Sequence, residues 1–536
     1  MRQLSLCLIV ACLAAPAFAQ NNCGNPYWAK TLRCQAFPGA APQANLGTIP
    51  AAGDIHAFTR VFLTANSGIR CADGTMPLIY VDKAVGATSN NWIISFTGGG
   101  SVAAADTNAD GIADDAQLAL DIYADPLERD EMGSALKPPM KELDGINTPD
   151  SILNPVFSNY NRVRIEKCSY DRYMGRVAYA APGGYFTDIG PTGALVHFNL
   201  WQQGYPIILE ALQALTPGLV YTTWSVDPVT GSVVSSQETL PPLTSAEKVL
   251  FVGHSGGAHG LMHNIDNLAA ALAAIPGFTG DVRALFDANF LPSNNNEVGF
   301  DPLQVGTDAY SGLWAGQTAA TSNTFTYNGA RYWPSSLQKA QYDMIDAVLD
   351  TSCMTAHVAT GDPWACADRH HVLLNHIATP FFFREDFTDP NKEHTNGGAG
   401  HNLQWGDVGA FGHCVVSPCL PILTVAEYRE HLEAQFDAMV NSSSTRSEMA
   451  TGNDPSLGAG NFPTFYAWMP DCGVHEGAFA NPSFFDTTIS YKGIFNYTMR
   501  QWLEGFMSVA RTNLRGFRVD GWTDYAGNQM TTTCPP

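Results

Sequence analysis

Short unbroken apolar runs alternate with longer amphipathic ones along the chain. "NWIISFTGGG" (91–100) reads as a buried strand ending in glycines, and "NRVRIEKC" (161–168) as a strand with period-two alternation. "KVLFVG" (248–253), "VRALFDANF" (282–290) and "TPFFFREDF" (379–387) read as further strands. "VHFNLWQQGYPIILEALQAL" (196–215) reads mostly as a helix, and "GGAHGLMHNIDNLAAALAAI" (256–275) as a helix throughout. Strands that are apolar at every position are those covered on both faces. Their alternation with helices predicts an α/β fold, with a parallel or mixed central sheet between helical layers. The stretches 289–301 and 441–463 are polar and turn-rich and read as long surface loops. Neither a repeat of fixed period nor a linker between halves stands out, so residues 20–536 are expected to form one domain.

The N-terminus changes where this fold is expected to work. Arg2, the apolar run Leu4–Leu13 and Ala17-Phe18-Ala19 before Gln20 have the pattern of a signal peptide cleaved near Ala19. A lipid anchor at Cys12 is the alternative, with a short apolar core before it. No later apolar run is long enough to span a bilayer. A secreted or periplasmic chain keeps ten of its twelve cysteines after cleavage, and disulfides are expected among them, with Cys23/Cys34, Cys353/Cys366 and Cys414/Cys419 as local staples. There is no C-x-x-C pair and no Cys/His run with zinc-finger spacing, so no structural zinc site is expected. The net charge of −22 argues against nucleic acid and anionic membranes as partners. An apolar content of 45% is ample for a large core.

The candidate chemistry centres on Gly253-His254-Ser255-Gly256-Gly257, a G-x-S-x-G pattern between the strand at 248–253 and the helix at 256–275. A serine at a sharp strand-to-helix turn projects its hydroxyl from the sheet edge, and the helix N-terminus supplies N–H groups and positive potential for an oxyanion. Ser255 is thus the expected nucleophile of an α/β-hydrolase-like fold. "SFTGGGS" (95–101) closes another strand, so Gly98, Gly99 or Gly100, together with Gly256, are the expected oxyanion donors. In this architecture an acid and then a histidine follow the serine in the chain. His357, His394, His401, His413, His431 and His475 qualify by position. His475, late and in a loop with Asp471-Cys472-Gly473, is the preferred base. Asp386, after "PFFF", is the preferred acid. Asp287 is its main competitor, and Glu385 and Asp389 remain open. His254 and His259 are expected to serve in packing.

These landmarks resemble, in order, those of the pectin acetylesterase/Notum family over roughly residues 75–510. "FTGGGS" is similar to its G-G-G-W-C loop, and "NPVFSNYNRVRIEKCSYDRYMG" (154–175) to its N-P-x-F-x-x-W-N segment. "GHSGGAHGLMHNID" is similar to its G-C-S-A-G-G…H-x-D segment. "PFFFREDFTD" and "CGVHE" fall where the family's acid and histidine lie. The resemblance implies a serine esterase with Ser255, Asp386 and His475 as its triad. It would act without a catalytic cofactor on acetyl or other short-chain esters, as small molecules or on acetylated polysaccharide. The sequence departs from the family at Ser101 and Val102, at His254 and Gly256, and at Lys167–Tyr170, positions expected near the pocket and the disulfides. A lipase or polyester depolymerase would use the same triad. A catalytically silent, calcium-stabilised binding protein is the alternative of another class. Calcium enters through "DTNADGIADDAQ" (106–117), where Asp106, Asn108, Asp110, the Ile112 carbonyl, Asp114 and Asp115 are candidate ligands around Gly111. Gln117 replaces the closing glutamate of an EF-hand.

Overall fold

The computed structural model describes most of residues 49–98, 137–179, 200–288, 345–389 and 465–535, with shorter stretches between them. Ten strands form the central sheet. In chain order they are β1 (Phe58–Phe62), β2 (Leu78–Asp82), β3 (Asn91–Phe96), β4 (Met140–Lys141), β5 (Asn161–Ile165), β6 (Lys248–His254), β7 (Asp281–Asp287), β8 (Phe381–Arg384), β9 (Phe465–Met469) and β10 (Arg515–Val519). Their spatial order is β10-β9-β8-β7-β6-β3-β5-β2-β1-β4. Every pairing from β5 to β10 is parallel, and β2, β1 and β4 add an antiparallel edge.

The apolar runs lie where continuous burial requires them. Val249 to Val252 of β6 are fully buried, because β3 and β7 flank the strand and helices cover its faces. Each such side chain contributes roughly 1.5–3 kcal/mol on burial. Helix α1 is Gly204–Leu215 and α2 is Gly256–Ala273. The later helices are α3 (Thr351–Val358), α4 (Arg369–Asn375), α5 (Asn481–Phe485) and α6 (Met499–Ser508). Helix α6 covers one face of the sheet. Lys248 Nζ donates to its Met507 carbonyl (2.9 Å), and Phe382 meets Phe506 edge-on. Gly253, an odd number of positions from Lys248 and so on the opposite face, packs against α2. One hydrophobic cluster runs through both layers and includes residues from Leu63 to Met530.

The expected long helix at 196–215 is a helix only in its second half. Strands Leu195–Phe198 and Leu200–Gln202 precede α1. The segment V-H-F-N-L-W-Q alternates with the period of a strand, and the helix begins only at Gly204, with Pro206 tolerated in its first turn. Cys353–Cys366 is bonded as expected from its spacing. Cys71–Cys168 and Cys472–Cys534 are also bonded, and their separations of 97 and 62 residues gave no local cue. Residues 1–19, Cys23/Cys34, Cys414/Cys419, the candidate calcium loop at 106–117 and the loops at 289–301 and 441–463 lie outside the described residues.

Candidate active site

Ser255 follows β6 directly and is the residue before α2. Its backbone stands at φ 49°, ψ −123°, a region L-residues seldom occupy. The conformation is held from both sides. Ser255 N–H donates to the Asp287 carbonyl at the end of β7 (2.8 Å), and the Ser255 carbonyl accepts from His259 N–H (3.0 Å). This is the sharp strand-to-helix turn expected from the G-x-S-x-G pattern, and Gly256 occupies the first position of the helix.

The order of strands brings the triple-glycine loop to the same place. Strand β3 pairs with β6, so both chains leave the sheet side by side at their C-terminal ends. A Cβ built on Gly98 would lie 2.8 Å from Ser255 Cβ and 2.5 Å from His254 Nε2, closer than any side chain tolerates. One built on Gly257 would lie 2.6 Å from the Thr97 carbonyl. The two loops therefore touch backbone to backbone. The N of Gly98 lies 3.1 Å from His254 Nε2, so the expected oxyanion loop rests against the residue before Ser255. Gly99 and Gly100 lie outside the described residues.

Asp386, the acid expected to orient His475, is not hydrogen-bonded to it, and Asp389, left open by the sequence, is. His475 Nδ1 lies 2.7 and 2.9 Å from the two oxygens of Asp389, a fully buried carboxylate three residues on. Asp386 is fully engaged elsewhere. It accepts from Arg384 (3.0 Å), from Thr388 N–H and Oγ1 (3.0 and 3.1 Å), and from the backbone N–H groups of Cys472, Gly473 and Val474. Asp386 thus shapes the loop that carries the histidine, and Asp389 meets the imidazole. An Asp followed two residues later by Thr is the pattern of an Asx turn, the one sequence cue that marked Asp386 as a loop former.

Asp287, the competitor, serves a third purpose. Its Oδ2 accepts from Ala478 N–H (2.7 Å), and its Oδ1 faces Arg384 (3.4 Å). Burial pushes its pKa up, and Arg384 opposes that. Arg384 is itself buried, which disfavours its charge, but Asp287, Asp386, Glu385 and Asp389 outweigh burial and hold its pKa above the ordinary value. The same guanidinium donates to the His475 carbonyl (3.1 Å).

Two contacts tie the histidine loop to the serine turn. One is the Asp287–Ala478 bond, since Asp287 pairs in register with His254. The other joins His254 Nε2 to Glu476 Oε1 at 3.2 Å, between the neighbour of Ser255 and the neighbour of His475. His254 also packs on Phe479, with ring centroids 4.6 Å apart. More than packing, then, it gathers the glycine loop, the serine turn and the histidine loop. His259, as expected, is buried and bonded within the fold, to Tyr342 and Arg172.

A hydrogen bond from Nδ1–H to a buried carboxylate leaves Nε2 of His475 with its lone pair, the form of a general base. With the serine strained into a half-buried turn and oxyanion-type donors at a helix start, the arrangement suits acyl transfer.

The family model described as Pectinacetylesterase matches residues 51–188. A curated relative, palmitoleoyl-protein carboxylesterase notum2 of Xenopus laevis, is 25% identical over 240 residues, 45% of this chain. The match spans 38% of that relative, well under two thirds of its length. Among solved structures, the Wnt deacylase Notum from Drosophila has the same fold in two crystal forms. One has a TM-score of 0.53 at 17% identity, covering 87% of this chain and 96% of that one. The other has a TM-score of 0.51 at 16% identity, covering 86% and 98%. The chain is thus similar over residues 51–188 to the Pectinacetylesterase family model, and it shares the fold of the Notum structures.

Proposed function

We propose that this chain is an exported serine esterase that hydrolyses acetyl and other short-chain esters, including those on polysaccharide, with Ser255, His475 and Asp389 as its triad. The observation that carries the reading is the contact of His475 Nδ1 with buried Asp389, in a loop bound to the serine turn through Glu476 and Ala478. Ser255 Oγ attacks the ester carbonyl as His475 Nε2 takes its proton. The N–H of Gly256, at the positive end of α2, and an amide of Gly98, Gly99 or Gly100 stabilise the oxyanion. His475 then returns the proton to the departing alkoxide, leaving an acyl-serine. Water, deprotonated by the same imidazole, releases the carboxylic acid and restores the serine.

Export is supported by the N-terminal pattern and by three disulfides among the described residues. The continuous core supports one esterase domain. Calcium at 106–115 is a separate, structural proposal, and no catalytic step runs through it. Among the described residues no helix is long and apolar enough to cross a membrane.

The test is hydrolysis of p-nitrophenyl acetate. Ser255→Ala is expected to lower turnover by about 10³-fold or more with the circular dichroism unchanged. It should also abolish labelling by a fluorophosphonate probe. Turnover retained by this variant overturns the assignment. A second reading keeps the machinery and lengthens the acyl group, because relatives are named palmitoleoyl-protein carboxylesterase and Wnt deacylase. Rates on acetyl, octanoyl and palmitoleoyl esters, acetylated xylan and polyester film separate the two readings and the lipase or depolymerase variants of them.

A further inference from the structure

Away from the serine, three imidazoles converge between α3 and α4. His357 ends the last turn of α3, His371 lies in α4 and His376 directly follows α4. Nε2 of His371 is 2.8 Å from Nε2 of His357 and 3.1 Å from Nε2 of His376. The rings meet edge to face, with centroids 4.8–5.7 Å apart. His357 and His371 are buried, and His376 is partly so.

We propose that His357, His371 and His376 bind one divalent transition-metal ion of the zinc class. An imidazole Nε2 has a single in-plane position, filled by a proton or by a lone pair. Nε2 of His371 therefore cannot make two well-directed bonds to two other Nε2 atoms, whereas one cation can accept all three lone pairs. Around zinc at about 2.0–2.1 Å, tetrahedral imidazole nitrogens stand about 3.3 Å apart, so these nitrogens need open by only a few tenths of an ångström. All-nitrogen ligation favours zinc, copper, cobalt or nickel over magnesium or calcium.

The surroundings match those of a built ligand set. Nδ1 of His376 lies 3.3 Å from Ser352 Oγ, which donates to Asp350 (2.7 Å), so the ring is oriented from behind. Asn375 Nδ2 donates to the His371 carbonyl (3.1 Å) and lies 3.1 Å from His371 Nδ1, so the amide packs against the side of the ring away from the other imidazoles. Cys353, one turn before His357, is locked to Cys366 and fixes the start of α3 against the segment leading into α4. With that sulfur committed to the disulfide, the three nitrogens leave a fourth coordination position for water. Sequence spacing did not reveal the site, because its ligands stand 14 and 5 residues apart, outside zinc-finger patterns.

The ion would brace the path into the catalytic acid. Just after His376, the N–H groups of Ala378 and Thr379 donate to Asp266 of α2 (2.7 and 2.9 Å), and β8 begins at Phe381. The role is structural, with no part in the acyl-transfer steps.

The test uses the full chain without a histidine tag, stripped with chelator and then given Zn²⁺ or Co²⁺. The wild type is expected to retain about one equivalent of zinc through desalting, to gain several degrees in Tm on zinc addition, and to show the intense visible bands of four-coordinate cobalt. His371→Asn and, independently, His357→Gln should lose the stoichiometric metal and the Tm gain, while fluorophosphonate labelling at Ser255 reports that they remain folded. No retained metal and no cobalt bands in the wild type, or equal binding by both variants, overturns the site. Should the variants fail to fold, the wild-type stoichiometry and cobalt spectrum decide alone. Loss of esterase activity with metal binding intact would count against the triad and leave this site standing.

Discussion

The serine turn and the histidine loop meet at one sheet edge, yet they are built by different means. The serine turn is local. A seven-residue strand, one strained residue and an eighteen-residue helix follow one another without interruption, and two neighbouring strands clamp them. The histidine loop is long-range. Its shape depends on Asp386, Arg384 and Asp287, which come from the ends of two other strands and lie 86 to 191 residues away from the backbone atoms they bind. A local device can be recognised from a few consecutive residues. A device assembled from separate strand ends becomes legible only when the strand order is known.

That difference can be broken first at the two carboxylates of the β8 loop. Asp389→Asn is expected to lower kcat on p-nitrophenyl acetate by about 10³–10⁴-fold with little change in Tm, because the imidazole loses the partner that sets its tautomer. Asp386→Asn should divide the other way. It leaves the buried Arg384 short of one counter-charge and presents an amide to three N–H donors, so unfolding free energy should fall by about 3 kcal/mol in urea titrations. Equal kinetic and thermal effects from the two variants would remove the distinction drawn between them.

The smallest effect lies at the seam between the two regions. The hydrogen bond from His254, with the charges of His254 and His475 adding, holds Glu476 down to about 2 from an ordinary 4.5, against the opposing pull of partial burial. Because the folded value is the lower one, this contact stabilises the protein above about pH 4.5 and fades as pH falls toward 2. More than half of the Glu476 side chain is exposed, so the contribution stays under about 1 kcal/mol. Glu476→Gln should therefore unfold slightly more easily than the wild type near pH 6, and the difference should vanish near pH 2–3. A gap that widened in acid would place the linkage elsewhere.

What could be read in advance follows the same division. The strands at 91–96, 161–165, 248–254, 281–287 and 381–384, the helix after Ser255 and the mostly parallel sheet were legible because each rests on the period of its own residues. The segment at 196–215 misled because a strand-period run abuts a strong helix former, and the helix signal dominated the whole window. Choosing between Asp386 and Asp389 required the path of the chain after β8. Both follow the same apolar strand, and only the turn made through Thr388 directs one inward to the backbone and leaves the other for the imidazole. The glycine loop was legible as the close of its own strand, and the structure sets Gly98 against Ser255 and His254.

The backbone of Ser255, at φ 49°, has a consequence for anyone who wishes to make this protein sturdier. A non-glycine residue in such a region costs about 1–3 kcal/mol, which the surrounding bonds to Asp287 and His259 offset. Glycine would relieve that stress and remove the hydroxyl in the same exchange. Under the proposed mechanism, robustness and reactivity compete at this single position, and thermal hardening has to be sought in the shell around it.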